Sequence, residues 1–218
     1  ILGLAKYISD KKIKISGTLR FLFQPAEELA PGGAILMMAA GAIDDVDHII
    51  GGHVLPSLSA DKIGIRYGAM AANVEKLYIC LKGPGGHTSR PAESVDLIWA
   101  QSHLVLSLEE SIKHRLGHGE RVVLAFGEVR GGHACNVLPS EIKLFGTLRY
   151  LNTDLKEKLH RVIDDTIKSV ELITNAKIDW EIPHSSPGLT NDDECAKLVV
   201  DSAIVALGKK NVHLMEES

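Results

Sequence analysis

The feature that most constrains the fold is a run of strand and helix patterns between residues 70 and 183. Strand patterns alternate apolar and polar residues, and helix patterns repeat apolar residues about every 3.6 positions. Strands are predicted at 74–82, 121–129, 142–150 and 177–182, and helices at 94–112 and 153–173. This β-α-β-β-α-β order is the split βαβ, or ferredoxin-like, arrangement, and the stretch is long enough to form its own domain.

The residues before this region predict a different kind of sheet. Apolar runs at 18–23 and 47–51 flank a short apolar helix at 34–40. A strand-helix-strand unit of this kind almost always makes its two strands parallel, and apolar strands of this type are covered on both faces. The helix is apolar nearly all round, so it is expected to be buried.

The predicted fold class is therefore α/β, a parallel-sheet domain with an inserted ferredoxin-like α+β domain. The predicted boundaries are 1–69 for the first part of the α/β domain, 70–183 for the insertion and 184–218 for the return. A helix that starts near 190 and runs to Leu207 would begin that return. Ile1 falls inside a helical pattern, and 212–218 closes no element, which indicates a fragment of a longer chain. The alternative is a complete protein that lacks a few terminal residues.

Charge and cysteine usage exclude several classes of partner. The net charge is -4 and no long basic block occurs, so neither nucleic acid nor an anionic membrane is the expected partner. The longest apolar runs are too short to span a bilayer. Three cysteines without paired spacing favour a reducing compartment, and we expect a cytoplasmic protein.

Polar side chains follow both apolar runs of the first region. Glu27 and Glu28 come directly after the first run, and His53 follows the second behind two glycines. The carboxyl ends of parallel strands share one edge of a sheet, where open α/β sheets build their sites. One carboxylate and the imidazole could bind a divalent metal while the other carboxylate takes a proton from bound water. The alternatives are a solvated glutamate pair and a half-buried structural histidine.

Two glycine-rich loops and a strand of the second region carry further candidates. His87 lies in the loop at 83–91, from which it could donate a hydrogen bond to a developing oxyanion. Asn136 offers amide donors, and Arg149 offers a planar fork for a carboxylate. The alternatives are an ordinary turn for the loop and a surface strand residue for Arg149. Cys135 is interpreted as a packing residue, since no catalytic pattern surrounds it.

Five short motifs therefore occur in order. They are Phe23-Gln24-Pro25-Ala26-Glu27-Glu28, Gly52-His53-Val54-Leu55-Pro56, Gly85-Gly86-His87-Thr88-Ser89-Arg90-Pro91, Asn136-Val137-Leu138-Pro139 and Gly146-Thr147-Leu148-Arg149. The series resembles the metal-dependent amidohydrolases related to hippurate hydrolase, N-acetyl-diaminopimelate deacetylase and the indoleacetyl-amino-acid hydrolases, of the aminoacylase and carboxypeptidase G type of metallopeptidase. The resemblance covers essentially the whole chain. It implies a metal-bearing α/β domain with an inserted ferredoxin-like lid that often serves homodimerisation.

The resemblance also implies an activity, namely hydrolysis of the amide bond of N-acyl amino acids or small peptides. In this reading Glu27 resembles the general base, and Glu28 and His53 resemble metal ligands. Two divalent ions are implied per complete site, and zinc, manganese, cobalt and nickel suit carboxylate and imidazole comparably.

The remaining candidates take substrate roles by the same resemblance. His87 resembles the lid histidine that polarises the scissile carbonyl, in many relatives from the partner subunit. Asn136 and Arg149 resemble groups that hold the substrate carboxylate or the oxyanion.

The family's upstream His-x-Asp and Cys-Gly-His-Asp segments and its downstream Gly-x-Glu-Asp-Phe segment have no counterpart in these residues. The 218 residues alone are therefore expected to bind catalytic metal weakly and to hydrolyse little. The alternatives are a non-catalytic fragment whose lid serves dimerisation or ligand binding, and an unrelated α/β protein that binds a small ligand.

Overall fold

The structure is a computed structural model that describes residues 1–28, 32–117 and 119–215. The chain divides into two compact units, Ile1–Val54 and Leu55–Ser218. Within the described residues, no helix has both the length and the apolar character needed to cross a bilayer.

The first unit contains two helices, α1 over Leu2–Asp10 and α2 over Ala34–Ala39. Helix α2 confirms the helix predicted there, but its predicted burial is wrong, since Leu36 is 74 % exposed. The two parallel strands predicted at 18–23 and 47–51 are also wrong. Neither segment pairs as a strand in the described part of this unit.

Both errors have the same physical cause. A parallel strand is stable where neighbouring strands bond its backbone and other elements cover both its faces. Among the described residues of the first unit, Gly33 alone is buried. Phe23, Ile49 and Ile50 are exposed, so the apolar runs lack the cover that a buried strand needs. Arg20 makes a long-range contact from the first of these segments, since its guanidinium donates hydrogen bonds to the carbonyl of Ala42 at 2.8 Å and to the carbonyl of Asp44 at 3.0 Å.

The second unit contains most of the regular structure. Its helices are α3 over Leu97–Leu116, α4 over Lys156–Thr174 and α5 over Asp193–Leu207. Its strands are β1 (Ile63–Ile65), β2 (Gly68–Ala71), β3 (Asn73–Lys82), β4 (Gly86–His87), β5 (Val122–Gly131), β6 (Val137–Leu138), β7 (Glu141–Tyr150), β8 (Lys177–Ser186), β9 (Leu189–Asn191) and β10 (Val212–Leu214). Short 3₁₀ turns lie at Pro91–Glu93, Thr153–Leu155 and Lys209–Asn211.

Four long strands form an antiparallel sheet in the order β5-β7-β3-β8. Helix α3 lies between β3 and β5 in the chain, and α4 lies between β7 and β8, so the predicted β-α-β-β-α-β order is confirmed. Leu77, Ile79 and Leu81 of β3 share one face of the sheet and are at most 2 % exposed. Helices α3 and α4 pack on this face and enclose a single core with it.

The two core helices begin and end at residues suited to those positions. The Asp96 carboxylate caps α3 by accepting hydrogen bonds from the backbone N–H groups of Ile98 and Trp99. Asn175 ends α4 in the left-handed conformation at φ 59°. On α3, Ile98 is half exposed, whereas Ala100 is fully buried.

Short strand pairs join the segments that precede and follow the four-stranded sheet. Strands β2 and β9 pair antiparallel, and β1 and β10 pair parallel. Helix α5 covers the β1–β10 pair through a small core that contains Ile65, Ala196 and Ala203. Strands β8 and β9 occupy most of residues 184–190.

A carboxylate lies inside the main core. Glu75 of β3 is fully buried, and its oxygens lie 2.7 Å from His160 Nε2 and 3.5 Å from Lys156 Nζ, both on α4. Ser185 of β8 donates a longer hydrogen bond to it at 3.4 Å. Burial, then the negative charge of Glu75, raises the pKa of Tyr150 on β7 to about 12. The Glu75 carboxylate of β3 thus interacts with residues of β7, β8 and α4.

Candidate active site

Glu27 and Glu28 lie on an exposed turn ahead of α2. Ala26 adopts a left-handed conformation at φ 50°, which turns the chain and lets the two following side chains diverge. Pro25 approaches Gly33 so closely that a Cβ on Gly33 would lie 2.5 Å from the proline ring. Only glycine fits there, so this contact holds the turn against the start of α2. Both carboxylates face solvent.

His53 is exposed, and its ring has a defined hydrogen-bonding state. Its Nδ1 lies 2.7 Å from the carbonyl oxygen of Val54. A carbonyl can only accept, so in the neutral imidazole Nδ1 carries the proton and Nε2 keeps its lone pair. Histidines that bind metal commonly donate their other ring N–H to a backbone carbonyl in this way. His53 is therefore in a form suited to coordinate a metal through Nε2.

The donor types of the first unit suit a divalent ion, but their number is small. Carboxylate and imidazole both bind zinc and manganese. A catalytic zinc site generally has three protein ligands. Within residues 1–28, 32–117 and 119–215, no group of three His, Cys, Asp or Glu side chains is arranged to hold a metal ion. Glu28 and His53 therefore fit a metal site in kind and supply at most part of its ligands.

His87 is held in a short strand at the far end of a glycine-rich loop. Strands β4 and β6 pair antiparallel, so that His87 lies opposite Val137. Glycines 85 and 86 are needed because a Cβ would lie 3.0 Å from the Leu138 carbonyl oxygen and 3.1 Å from Ser94, respectively. The Ser94 hydroxyl also donates a hydrogen bond to the Pro84 carbonyl at 2.5 Å. The loop is therefore closely packed although its tip is exposed.

Asn136 lies beside this histidine. Its carbonyl accepts a hydrogen bond from the Thr88 N–H at 3.1 Å, directly next to the β4–β6 pair. The Asn136 side chain is exposed. The structure thus brings His87 and Asn136 together on one exposed rim of the second unit.

Arg149 lies at the other end of the same sheet. His87 and Asn136 are next to the start of β7, where the Gly83 N–H donates to the Ser140 carbonyl at 3.1 Å. Arg149 is near the end of β7, eight residues beyond Glu141, which corresponds to about 26 Å along an extended strand. Its exposed side chain points away from α3 and α4, since Leu148 and Tyr150 point into the core. Within one chain Arg149 is therefore separated from His87 and Asn136.

None of the six candidates lines either of two shallow cavities of the second unit. A cavity of about 240 Å³ lies between α3 and α4, with Arg115 and Asp165 among its lining residues. A second, of about 220 Å³, lies on the open face of the sheet around Cys80. Burial raises the pKa of the Cys80 thiol, and Lys143 beside Glu141 lowers the pKa of that carboxyl. A raised thiol pKa disfavours the nucleophilic thiolate.

The family model "Peptidase family M20/M25/M40" matches residues 1–218, so the chain belongs to that family. The fold is accordingly the M20 peptidase fold, with mixed α/β sheets.

The relatives of this chain include enzymes that act on N-acyl amino acids. It is 34 % identical to an N-acyl-L-amino acid amidohydrolase of Geobacillus stearothermophilus, over 89 % of this chain and 52 % of that protein. It is 33 % identical to an N-acetyldiaminopimelate deacetylase of Bacillus cytotoxicus, over 78 % of this chain and 46 % of that protein. The chain spans about half the length of the curated relatives it matches.

A solved structure resembles the whole chain. It is a dinuclear metal-binding peptidase of the M20 family from Bacillus subtilis, with 25 % identity and a TM-score of 0.79. The match covers 100 % of this chain and 55 % of that one.

Sequence reasoning overlooked one residue at this site. Ser89 lies two positions after His87 and contacts its imidazole, with Ser89 Oγ 2.8 Å from His87 Nδ1. The signal was present, because a serine two residues after a loop histidine can close a local side-chain turn.

Proposed function

We propose that this chain forms part of a metal-dependent amidase that hydrolyses N-acyl amino acids or small peptides. Membership of the family and the names of its relatives support this proposal. The single observation in the geometry that carries it is the ring of His53, which donates through Nδ1 to a carbonyl and leaves Nε2 unprotonated. This is the state in which an imidazole binds metal.

Each candidate then has a chemical role. Bound divalent ions would supply Lewis-acid activation of water and carbonyl, with Glu28 and His53 among their ligands. Glu27 would take the proton of the attacking water and return it to the leaving amine. His87 would donate a hydrogen bond to the oxyanion of the tetrahedral species.

The distance between the candidates of the second unit supports a site shared by two subunits. His87 and Asn136 lie at one end of β7 and Arg149 at the other, about 26 Å apart along the strand. One substrate molecule cannot contact both ends within one chain. In a symmetric dimer, however, His87 and Asn136 of one subunit can meet Arg149 of the other.

The strand pairs around the four-stranded sheet support an inserted domain. Strands β2 and β9 place the entry and exit of residues 70–183 side by side, as an insertion requires. The parallel β1–β10 pair joins segments that lie before and after the insertion. The boundaries 1–69, 70–183 and 184–218 remain our proposal, as does a lid role for the middle part. A reducing, cytoplasmic location is also proposed, and the free thiols of Cys80 and Cys135 agree with it.

The roles of Glu27 and Glu28 are separable by experiment. In the complete gene product, Glu27→Gln should lower kcat for an N-acetyl amino acid by about 10²- to 10⁴-fold without loss of bound metal. Glu28→Gln and His53→Ala should lose bound metal, measured by mass spectrometry of the purified protein. Glu157→Gln, an exposed change on α4, is the control. Wild-type activity in Glu27→Gln would refute the proposed base.

The shared site has its own test. His87→Ala and Arg149→Ala should each be inactive alone, and a refolded mixture should regain part of the activity, because mixed dimers contain one complete site. No recovery in a mixture shown to contain mixed dimers would refute the shared site.

A non-catalytic role in dimerisation or ligand binding is the second candidate. It is supported by the absence of any three-donor metal group within the described residues. Metal analysis of the 218-residue chain decides between the two for this chain. Two tightly held ions per chain would rule the non-catalytic reading out.

A further inference from the structure

Hydrogen bonds in the turn that follows His87 determine which nitrogen of its ring carries the proton. The Arg90 N–H donates to the His87 carbonyl at 2.9 Å, which closes a four-residue turn. Inside this turn the Ser89 N–H points back at the imidazole and lies 3.2 Å from Nδ1. The Ser89 hydroxyl lies 2.8 Å from the same nitrogen.

The direction of these bonds decides the tautomer. A backbone N–H can only donate, so Nδ1 of His87 accepts and carries no proton. In the neutral imidazole the proton is then on Nε2. Nε2 has no hydrogen-bond partner within residues 1–28, 32–117 and 119–215, and the side chain is exposed. The ring therefore presents a donor to whatever binds beside it.

We propose that Ser89 is a positioning residue that holds His87 in the tautomer with its proton on Nε2. The hydroxyl adds to the longer backbone bond and orients the ring. The backbone around the ring is already fixed by the β4–β6 pair and by the Thr88 N–H bond to Asn136. The catalytic consequence, a preorganised donor for the oxyanion, rests on the proposed function, but the tautomer itself does not.

The tautomer can be measured without any activity. Protein labelled with ¹⁵N-histidine gives two-bond ¹H–¹⁵N spectra in which protonated and unprotonated ring nitrogens have separate shifts. His87→Gln assigns the signals. In the wild type we expect Nδ1 unprotonated and Nε2 protonated. In Ser89→Ala the two shifts should move toward each other, and Ser89→Thr should restore them. Ser102→Ala, which removes a hydroxyl from the exposed face of α3, should leave them unchanged.

A kinetic readout accompanies the spectra. In the complete gene product, Ser89→Ala should lower kcat about threefold to tenfold with KM unchanged, since one neutral hydrogen bond is lost from a group that acts in the transition state. The proposal is overturned if wild-type His87 carries its proton on Nδ1, or if Ser89→Ala leaves both nitrogen shifts at their wild-type values, even where kcat falls. If the gene product hydrolyses no amide, the proposed function fails while the spectra still decide the role of Ser89.

Discussion

The first unit and the four-stranded sheet both contain strongly apolar segments, but only the sheet buries them. Ile49 and Ile50 are about two-thirds exposed, whereas Ile79 and Leu81 are fully buried. The difference is the presence of a second layer, because α3 and α4 cover the sheet. An apolar run thus predicts a strand only where another element is present to cover it. The proposed base Glu27 and the proposed metal ligands Glu28 and His53 therefore lie in the unit that has few buried residues in its described part.

The largest expected difference between the two regions is the cost of deleting a leucine side chain. Leu104→Ala on α3 removes a fully buried side chain and should lower the free energy of unfolding by about 3 kcal/mol. Leu36→Ala on α2 removes a side chain that is 74 % exposed and should cost less than about 0.5 kcal/mol. Urea titration followed by fluorescence of Trp99 and Trp180, both in the second unit, measures the first effect.

Circular dichroism is the control measurement for Leu36→Ala, since neither tryptophan lies in the first unit. Equal losses for the two variants would show that α2 has a buried face in solution. The comparison between the two regions would then fail.

The next effect concerns the buried carboxylate. Glu75→Gln removes the buried negative charge that faces Lys156 and His160 and should cost about 2 kcal/mol. Glu181→Gln on β8 makes the same chemical change at an exposed position and should have little effect. If Glu75→Gln leaves the urea midpoint unchanged, its partners do not need the negative charge, and the predicted cost is wrong.

These two regions also show which structural features can be predicted from the sequence. The alternation of Leu77, Ile79 and Leu81 with more polar residues predicted β3. Such alternation is typical of a strand with one buried face, and all three residues are buried in the structure. The same reasoning failed at 18–23, where covering elements are not visible in the sequence. The burial of Glu75 was not predicted. A single acidic residue in an alternating apolar pattern is usually exposed, and its partners Lys156 and His160 are distant in the sequence. For the proposed site, the motifs offered His87 and Arg149 as candidates, but only the strand topology showed that they lie near opposite ends of β7.

A smaller effect depends on pH. Tyr150→Phe removes a hydroxyl that interacts with Glu75 and should cost about 1 kcal/mol at neutral pH. The folded protein holds the phenol proton more tightly than the unfolded chain, because the pKa is raised from 10.0 to about 12. The stability that depends on this proton is complete below pH 10 and is lost as the pH rises through 12. The gap between wild type and Tyr150→Phe should therefore close over that window.

Urea midpoints of the two proteins at pH 8, 10 and 11.5 check this expectation. Tyr7→Phe on α1, where the side chain is 55 % exposed, is the matched control for general alkaline loss of stability. A gap that stays constant with pH would show that Tyr150 ionises alike in the folded and unfolded states.

The smallest effect is expected where the two regions are alike. Lys6 and Asp10 on α1 form an exposed pair at 2.7 Å, and Lys168 and Asp164 on α4 form one at 2.5 Å. Both pairs are four residues apart on a helix, and both lie in water, which screens their attraction. Asp10→Asn and Asp164→Asn should therefore each leave the denaturation midpoint within the error of a urea titration. Lys168 lowers the pKa of Asp164, so any contribution of this pair is present above the ordinary carboxyl pKa and fades as the pH falls. A measurable loss of stability in Asp164→Asn but not in Asp10→Asn at neutral pH would show that the ion pair on α4 contributes more than the one on α1. Equal, negligible losses would show that burial alone separates the two regions.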